Sequence, residues 1–132
     1  MISVLEHLYN LMVTGTLGVL SASAEKFFSQ LMLNDDEKDI IKEYSCKLFW
    51  CTVLEYYIEN KIALNDKEKI FLKRAVLEVK DKELMIKLNK FLNNINKEEA
   101  KKLYRDIYEG IPKDVIKDFG NIMNKLSKYN KV

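Results

Sequence analysis

Proline occurs once in the 132 residues, at Pro112, and glycine four times, at Gly15, Gly18, Gly110 and Gly120. An all-β chain of this length spends both residues on its turns. Their scarcity argues against that class and points to helices. Histidine is scarcer still, with His7 standing alone. A zinc-protease helix needs two histidines four residues apart, and a di-iron bundle needs a Glu-x-x-His pair from each of two helices. One histidine supplies neither, so no metal and no cofactor are expected. Arginine is limited to Arg74 and Arg105, which leaves 20 of the 22 basic residues to lysine. Arginine is the usual reader of guanine edges and the usual bidentate phosphate clamp, so the chain does not read as a sequence-specific DNA binder. Glutamine occurs once, at Gln30, while lysine, isoleucine and asparagine are abundant. That bias suits an AT-rich genome, and part of the lysine content follows from it.

Other chemistry is missing as well. Gly15-Thr16-Leu17-Gly18 has neither the length nor the Lys-Ser/Thr ending of a phosphate loop. Cys46 and Cys51, five residues apart, point about 140° away from each other on a helix. They sit in an apolar run and read as small buried hydrophobes, and nothing near them in sequence suggests the base that a nucleophile needs. Glu55 and Glu59 lie one turn apart beside Tyr56 and Tyr57. They read as the wet edge of an otherwise apolar helix rather than as an acid–base pair. No catalytic residue is expected, and the chain is read as a non-enzyme.

What the sequence does hold is apolar material and helix punctuation. Hydrophobic residues make up 48% of the chain and the net charge is +2, enough to build one real core in one domain of soluble helices. Asn34-Asp35-Asp36-Glu37, Asn65-Asp66-Lys67-Glu68 and Asn96-Lys97-Glu98-Glu99 each place an asparagine three residues before a glutamate. This is the pattern of an N-cap whose side chain accepts from a free backbone N–H while the glutamate reaches back. The caps recur 31 residues apart, but Leu48 and Val79 fall opposite Gly110 in that register. They read as three similar caps on helices of similar length, not as a true repeat.

The helix opening at Asn34 is expected to run to about Leu64. Its middle, Tyr44 to Ile58, is apolar on nearly every side, which marks a central helix with Trp50 shielded. The next carries Ile70, Leu72, Val76 and Val79, with a break near Asp81 before Leu84, Leu88, Phe91 and Leu92. From Lys97 a shorter helix carries Leu103, Tyr104, Ile107 and Tyr108. Gly110 suits its C-terminal cap and Pro112 the first turn of the last helix, which carries Val115, Phe119, Ile122 and Leu126. The expected fold is all-α: a bundle of five or six helices over residues 34–132, preceded by an apolar N-terminal segment, residues 1–33.

That segment is the most informative feature. From Leu8 to Ala24 no side chain is charged. The stretch is slightly short for a membrane span and holds Asn10, Thr14, Thr16, Ser21 and Ser23. No basic region precedes it, as a secretory signal would require. A membrane is therefore not among the expected partners. Surplus apolar surface on one segment then points to protein contacts, with Leu5, Leu8, Leu11, Met12, Leu17, Val19 and Leu20 as the expected subunit interface. The bundle from Asn34 onward is expected to bury a core without it. At the other end, Lys125, Lys128 and Lys131, with Tyr129 among them, are the residues expected to make a weak nucleic-acid contact. They equally suit the negative end of a last helix.

The lead Met1–Leu33, charged only at Glu6, Glu25 and Lys26, followed by Lys/Glu/Ile-rich helices opening at Asn34, Asn65 and Asn96, resembles in layout the small helical-bundle coat proteins of large spindle-shaped archaeal viruses, the group that includes the two-tailed virus. The resemblance covers the whole chain. It implies a self-assembling structural protein, a capsid subunit present in many copies, whose partner is itself as a homo-oligomer or polymer. Its location would be the virion if viral, and otherwise the cytoplasm. A related protein of the same layout blocks the host RNA polymerase. That gives the alternative function: a small helical inhibitor or adaptor bound to a host enzyme.

Overall fold

The computed structural model describes residues 8–9 and 29–130, and among them the protein is all-α, with no strand. Five helices follow one another: α1 (Asp35–Ile58), α2 (Asp66–Val76), α3 (Lys82–Asn93), α4 (Lys97–Glu109) and α5 (Lys113–Asn130). The asparagines act as the sequence predicts. Asn34 Oδ1 accepts from the Glu37 N–H at 2.8 Å, Asn65 from Glu68 at 3.1 Å, and Asn96 from Glu99 at 2.9 Å. At Asn34 the exchange is reciprocal, its own N–H donating to Glu37 Oε1 at 2.9 Å. The break near Asp81 is present too. Asp81 caps α3 by accepting from the N–H groups of Glu83 and Leu84 at 3.0 and 3.3 Å.

The chain divides into two compact units, one from Met1–Phe49 with Ile111–Val132, the other Trp50–Gly110. This grouping crosses Asn34, since residues on both sides of it belong to the first unit. Helix α1 supplies side chains to both. Leu48 and Phe49 are core residues of the first unit, and Trp50, Val53 and Leu54 of the second. Trp50 is fully buried, as expected of a central helix.

Helix α1 ends at Ile58, six residues before the expected Leu64, and the cause is local. Asn60 has φ 61°, in the left-handed region that asparagine tolerates better than most residues. The Lys61 N–H then donates to Tyr56 O at 2.7 Å and the Asn60 N–H to Tyr57 O at 3.1 Å. This pair of bonds closes a helix in the Schellman manner. The Lys61 ammonium lies 5.4 Å from the Tyr56 ring centroid, in place of the apolar contact usual there. No basic residue lies in the last turn of α1 itself. The positive charge its carbonyls favour comes from Lys97, which donates to Tyr57 O, to Ile58 O at 3.2 Å and to Asn60 Oδ1 at 2.7 Å, over the Tyr57 ring.

Two further expectations are adjusted. Gly110 does end α4, but at φ −83°, so no left-handed turn requires it. Pro112 precedes α5 as its cap residue, its carbonyl accepting from the Ile116 N–H at 3.1 Å. Of the two cysteines, Cys51 is buried while Cys46 is partly exposed.

In the first unit one contact gathers three segments. Lys125, on α5, donates to Glu37 Oε1 at 2.6 Å and to Met32 O at 3.0 Å. Met32 has φ 53°, a conformation costing a non-glycine residue roughly 1–2 kcal/mol, and the Lys125 bond helps to hold it. Burial works to raise the Glu37 carboxyl. The hydrogen bonds from Lys125 and Asn34, with the lysine charge, outweigh it and hold the group below 4.5. A carboxyl depressed on folding contributes stability that is full above its unfolded pKa and lost as pH falls through the folded value. Glu37→Gln should therefore cost about 2 kcal/mol at neutral pH, and lose most of that difference from the native chain in acid. Urea unfolding at pH 7 and pH 3 checks this; an equal difference at both pH values would contradict it.

Candidate interaction surfaces

Helix α4 runs back along the second half of α1, with Lys97 at the C-terminal carbonyls of α1 and Tyr104 beside Glu55. Between them lies an open groove of about 680 Å3, lined by Glu55, Ile58 and Glu59 from α1 and by Lys101, Tyr104, Arg105, Tyr108 and Glu109 from α4. The spacing explains the lining. Glu55, Ile58 and Glu59 fall at i, i+3 and i+4, and Lys101, Tyr104, Arg105 and Tyr108 at i, i+3, i+4 and i+7, so each set shares one helical face. The adjoining side of α4 carries its buried residues Ala100, Leu103 and Ile107.

Within the groove, Tyr104 and Tyr108 stack at 5.5 Å between centroids, with 23° between ring planes. The Tyr104 hydroxyl donates to Glu55 Oε2 at 3.5 Å, a long bond. Glu59 Oε2 pairs with Lys61 at 2.8 Å on the exposed rim. The pair Glu55 and Glu59 is thus a wet edge, as the sequence suggests, but one wall of a shaped groove as well. Sequence reasoning did not find the groove. The available signal was the polar-aromatic stripe on α4, beside the face bearing Leu103 and Ile107.

A second surface is apolar. Ile70 is 64% exposed, Leu77 77% and Ile86 63%. Ile70 and Leu77 lie seven residues apart, about two turns, and so on one side of α2 and its capping turn. Ile86 is on α3, which packs against α2. Ile70, expected among the core residues of its helix, is a surface residue.

The expected site residues fall as follows. Leu8 is 3% exposed, and its neighbour Tyr9 meets the Phe49 ring edge-on at 6.2 Å. Leu8 is therefore buried within this chain. Leu5, Leu11, Met12, Leu17, Val19 and Leu20 lie outside the described residues, as does Lys131. Lys125 is held by Glu37 and Met32, so its charge is spent inside the first unit. Lys128 is exposed in the last turn of α5, where a cation suits the helix end. Among the described residues no group of His, Cys, Asp and Glu is placed to hold a metal ion, and no helix is long and apolar enough to cross a membrane.

Burial, then the nearby Glu55 charge, push the Tyr104 phenol up to about 12. A group whose pKa rises on folding contributes stability that is full below its unfolded value, near 10, and lost as pH rises through the folded one. An ultraviolet titration should find one tyrosine ionising near 12. Glu55→Gln should lower that midpoint yet leave it above 10, because burial remains. An unchanged midpoint would show that Glu55 does not act on this phenol.

No family model, no curated protein and no solved structure matches the chain.

Proposed function

We propose that the protein is a self-assembling structural subunit acting through helix-mediated contacts between copies, with a viral coat as the assembly that its layout resembles. The observation that supports this is the exposed apolar surface of Ile70, Leu77 and Ile86. Single exposed aliphatic side chains are ordinary, but two on one side of a helix, with a third exposed on the helix packed against it, are apolar area that association would bury. Burying the three contributes roughly 1.5–3 kcal/mol each before ordering costs. That gain is modest for one contact and substantial when each subunit makes it repeatedly. The apolar lead segment adds to this reading through the residues beyond Leu8.

The rival is a helical inhibitor or adaptor bound to one large enzyme such as RNA polymerase. The two differ in stoichiometry: a coat subunit self-associates, whereas an inhibitor acts as a monomer. Sedimentation velocity across a range of concentrations should show growth beyond the monomer. Ile70→Lys with Leu77→Lys should weaken that growth by about tenfold or more, with helix content retained by circular dichroism. A native chain that stays monomeric at high concentration would overturn self-assembly and favour the inhibitor.

A further inference from the structure

The groove between α1 and α4 has an acidic wall on α1 and, on α4, a wall that carries two basic residues with Glu109 at its far end. Glu55 and Glu59 come from α1, Lys101 and Arg105 from α4, and each pair is one turn apart. Among the described residues no ion pair joins the two walls. Lys101 and Arg105 have no carboxylate partner there. Glu55 and Glu59 each use only Oε2, toward the Tyr104 hydroxyl and Lys61. An acidic row and a largely basic row thus share a groove that the stacked tyrosines also line. Tyr108 stands 42% exposed.

A contact about a two-fold axis brings the same patch of both partners together, so the patch must complement itself. A surface of one sign fails that condition. A surface with parallel rows of opposite sign meets it when the axis runs parallel to the rows, because the rotation then lays each acidic row against the partner's basic row. We propose that this groove docks a second copy of the chain in that way, with Glu55 and Glu59 of each copy on Lys101 and Arg105 of the other. Tyr108 and Ile58 supply the apolar centre, as aromatic side chains commonly do in interfaces. The proposal rests on the self-assembly reading and adds to it a second contact, distinct from the apolar surface of α2 and α3. Contacts made by charges weaken as salt rises, and contacts made by apolar burial do not.

Charge reversal tests it on the full chain. One variant carries Glu55→Lys and Glu59→Lys, the other Lys101→Glu and Arg105→Glu. Each alone should associate about tenfold or more weakly than the native chain, because like-charged walls then meet. An equimolar mixture should recover native association at the same total concentration, since reversed walls of the two variants complement each other. Sedimentation equilibrium at low and high salt reads all three, with circular dichroism as the check on folding. If the half-buried Glu55 substitution unfolds the chain, Glu59→Lys paired with Arg105→Glu repeats the test on exposed side chains. Variants that each associate like the native chain, or a mixture no stronger than its parts, would overturn the groove contact while leaving self-assembly through other surfaces intact. A native chain that remains monomeric would overturn both.

Discussion

Leu48 through Leu54 form an unbroken run of buried residues on α1, nearly two turns with no face toward solvent. The rest of the fold depends on covering that run. A helix apolar all round is stable in water only when other elements surround it. Phe49, Trp50, Val53 and Leu54 are wholly buried, and their burial stabilises both units. The run crosses the division between the two units, so each builds its core partly on side chains from the same helix.

Closing such a helix at both ends is a polar problem, solved with two lysines from distant segments. At the start, the Asn34 and Glu37 exchange is completed by Lys125, 88 residues beyond Glu37. At the end, the Ile58 carbonyl and the Tyr57 carbonyl, which also accepts from the Asn60 N–H, are met by Lys97. Lys97 opens α4, where its charge opposes that helix's own dipole. Its place is explained by the end of α1 instead. The two lysines act as ties between segments, each satisfying acceptors that a buried helix cannot leave open.

Signals contained within a few residues were legible in the sequence. The caps at Asn34, Asn65 and Asn96, the break at Asp81 and the central place of Trp50 all follow from short-range patterns. The left-handed Asn60 was equally local, in an Asn-Lys pair after an apolar run, yet the helix pattern continuing through Ile62 and Leu64 masked it. What depended on distant partners was not legible. Lys125 looked like part of a basic tail because nothing in Phe119–Val132 indicates Glu37. The groove requires α1 and α4 to lie together, and no local pattern states which helices are neighbours. Ile70 looked like core because Ile70, Phe71 and Leu72 are successive apolar residues on a short helix, and sequence alone does not say which of them turns outward.

This division between a covered centre and an open periphery is also what gives the protein its surfaces. The side chains buried at residues 48–54 of α1 are unavailable to any partner, and the side chains left for partners lie on the outer sides of α2 and α3 and along the groove between α1 and α4. Native-state hydrogen exchange tests the claim about α1 most directly. The amides of residues 48–54 should be the slowest in the chain, exchanging only when the whole protein unfolds, and the amides of α2, whose side bearing Ile70 is open, should exchange well before them. If residues 48–54 exchanged as fast as α2, the buried helix would not be the element on which the fold depends.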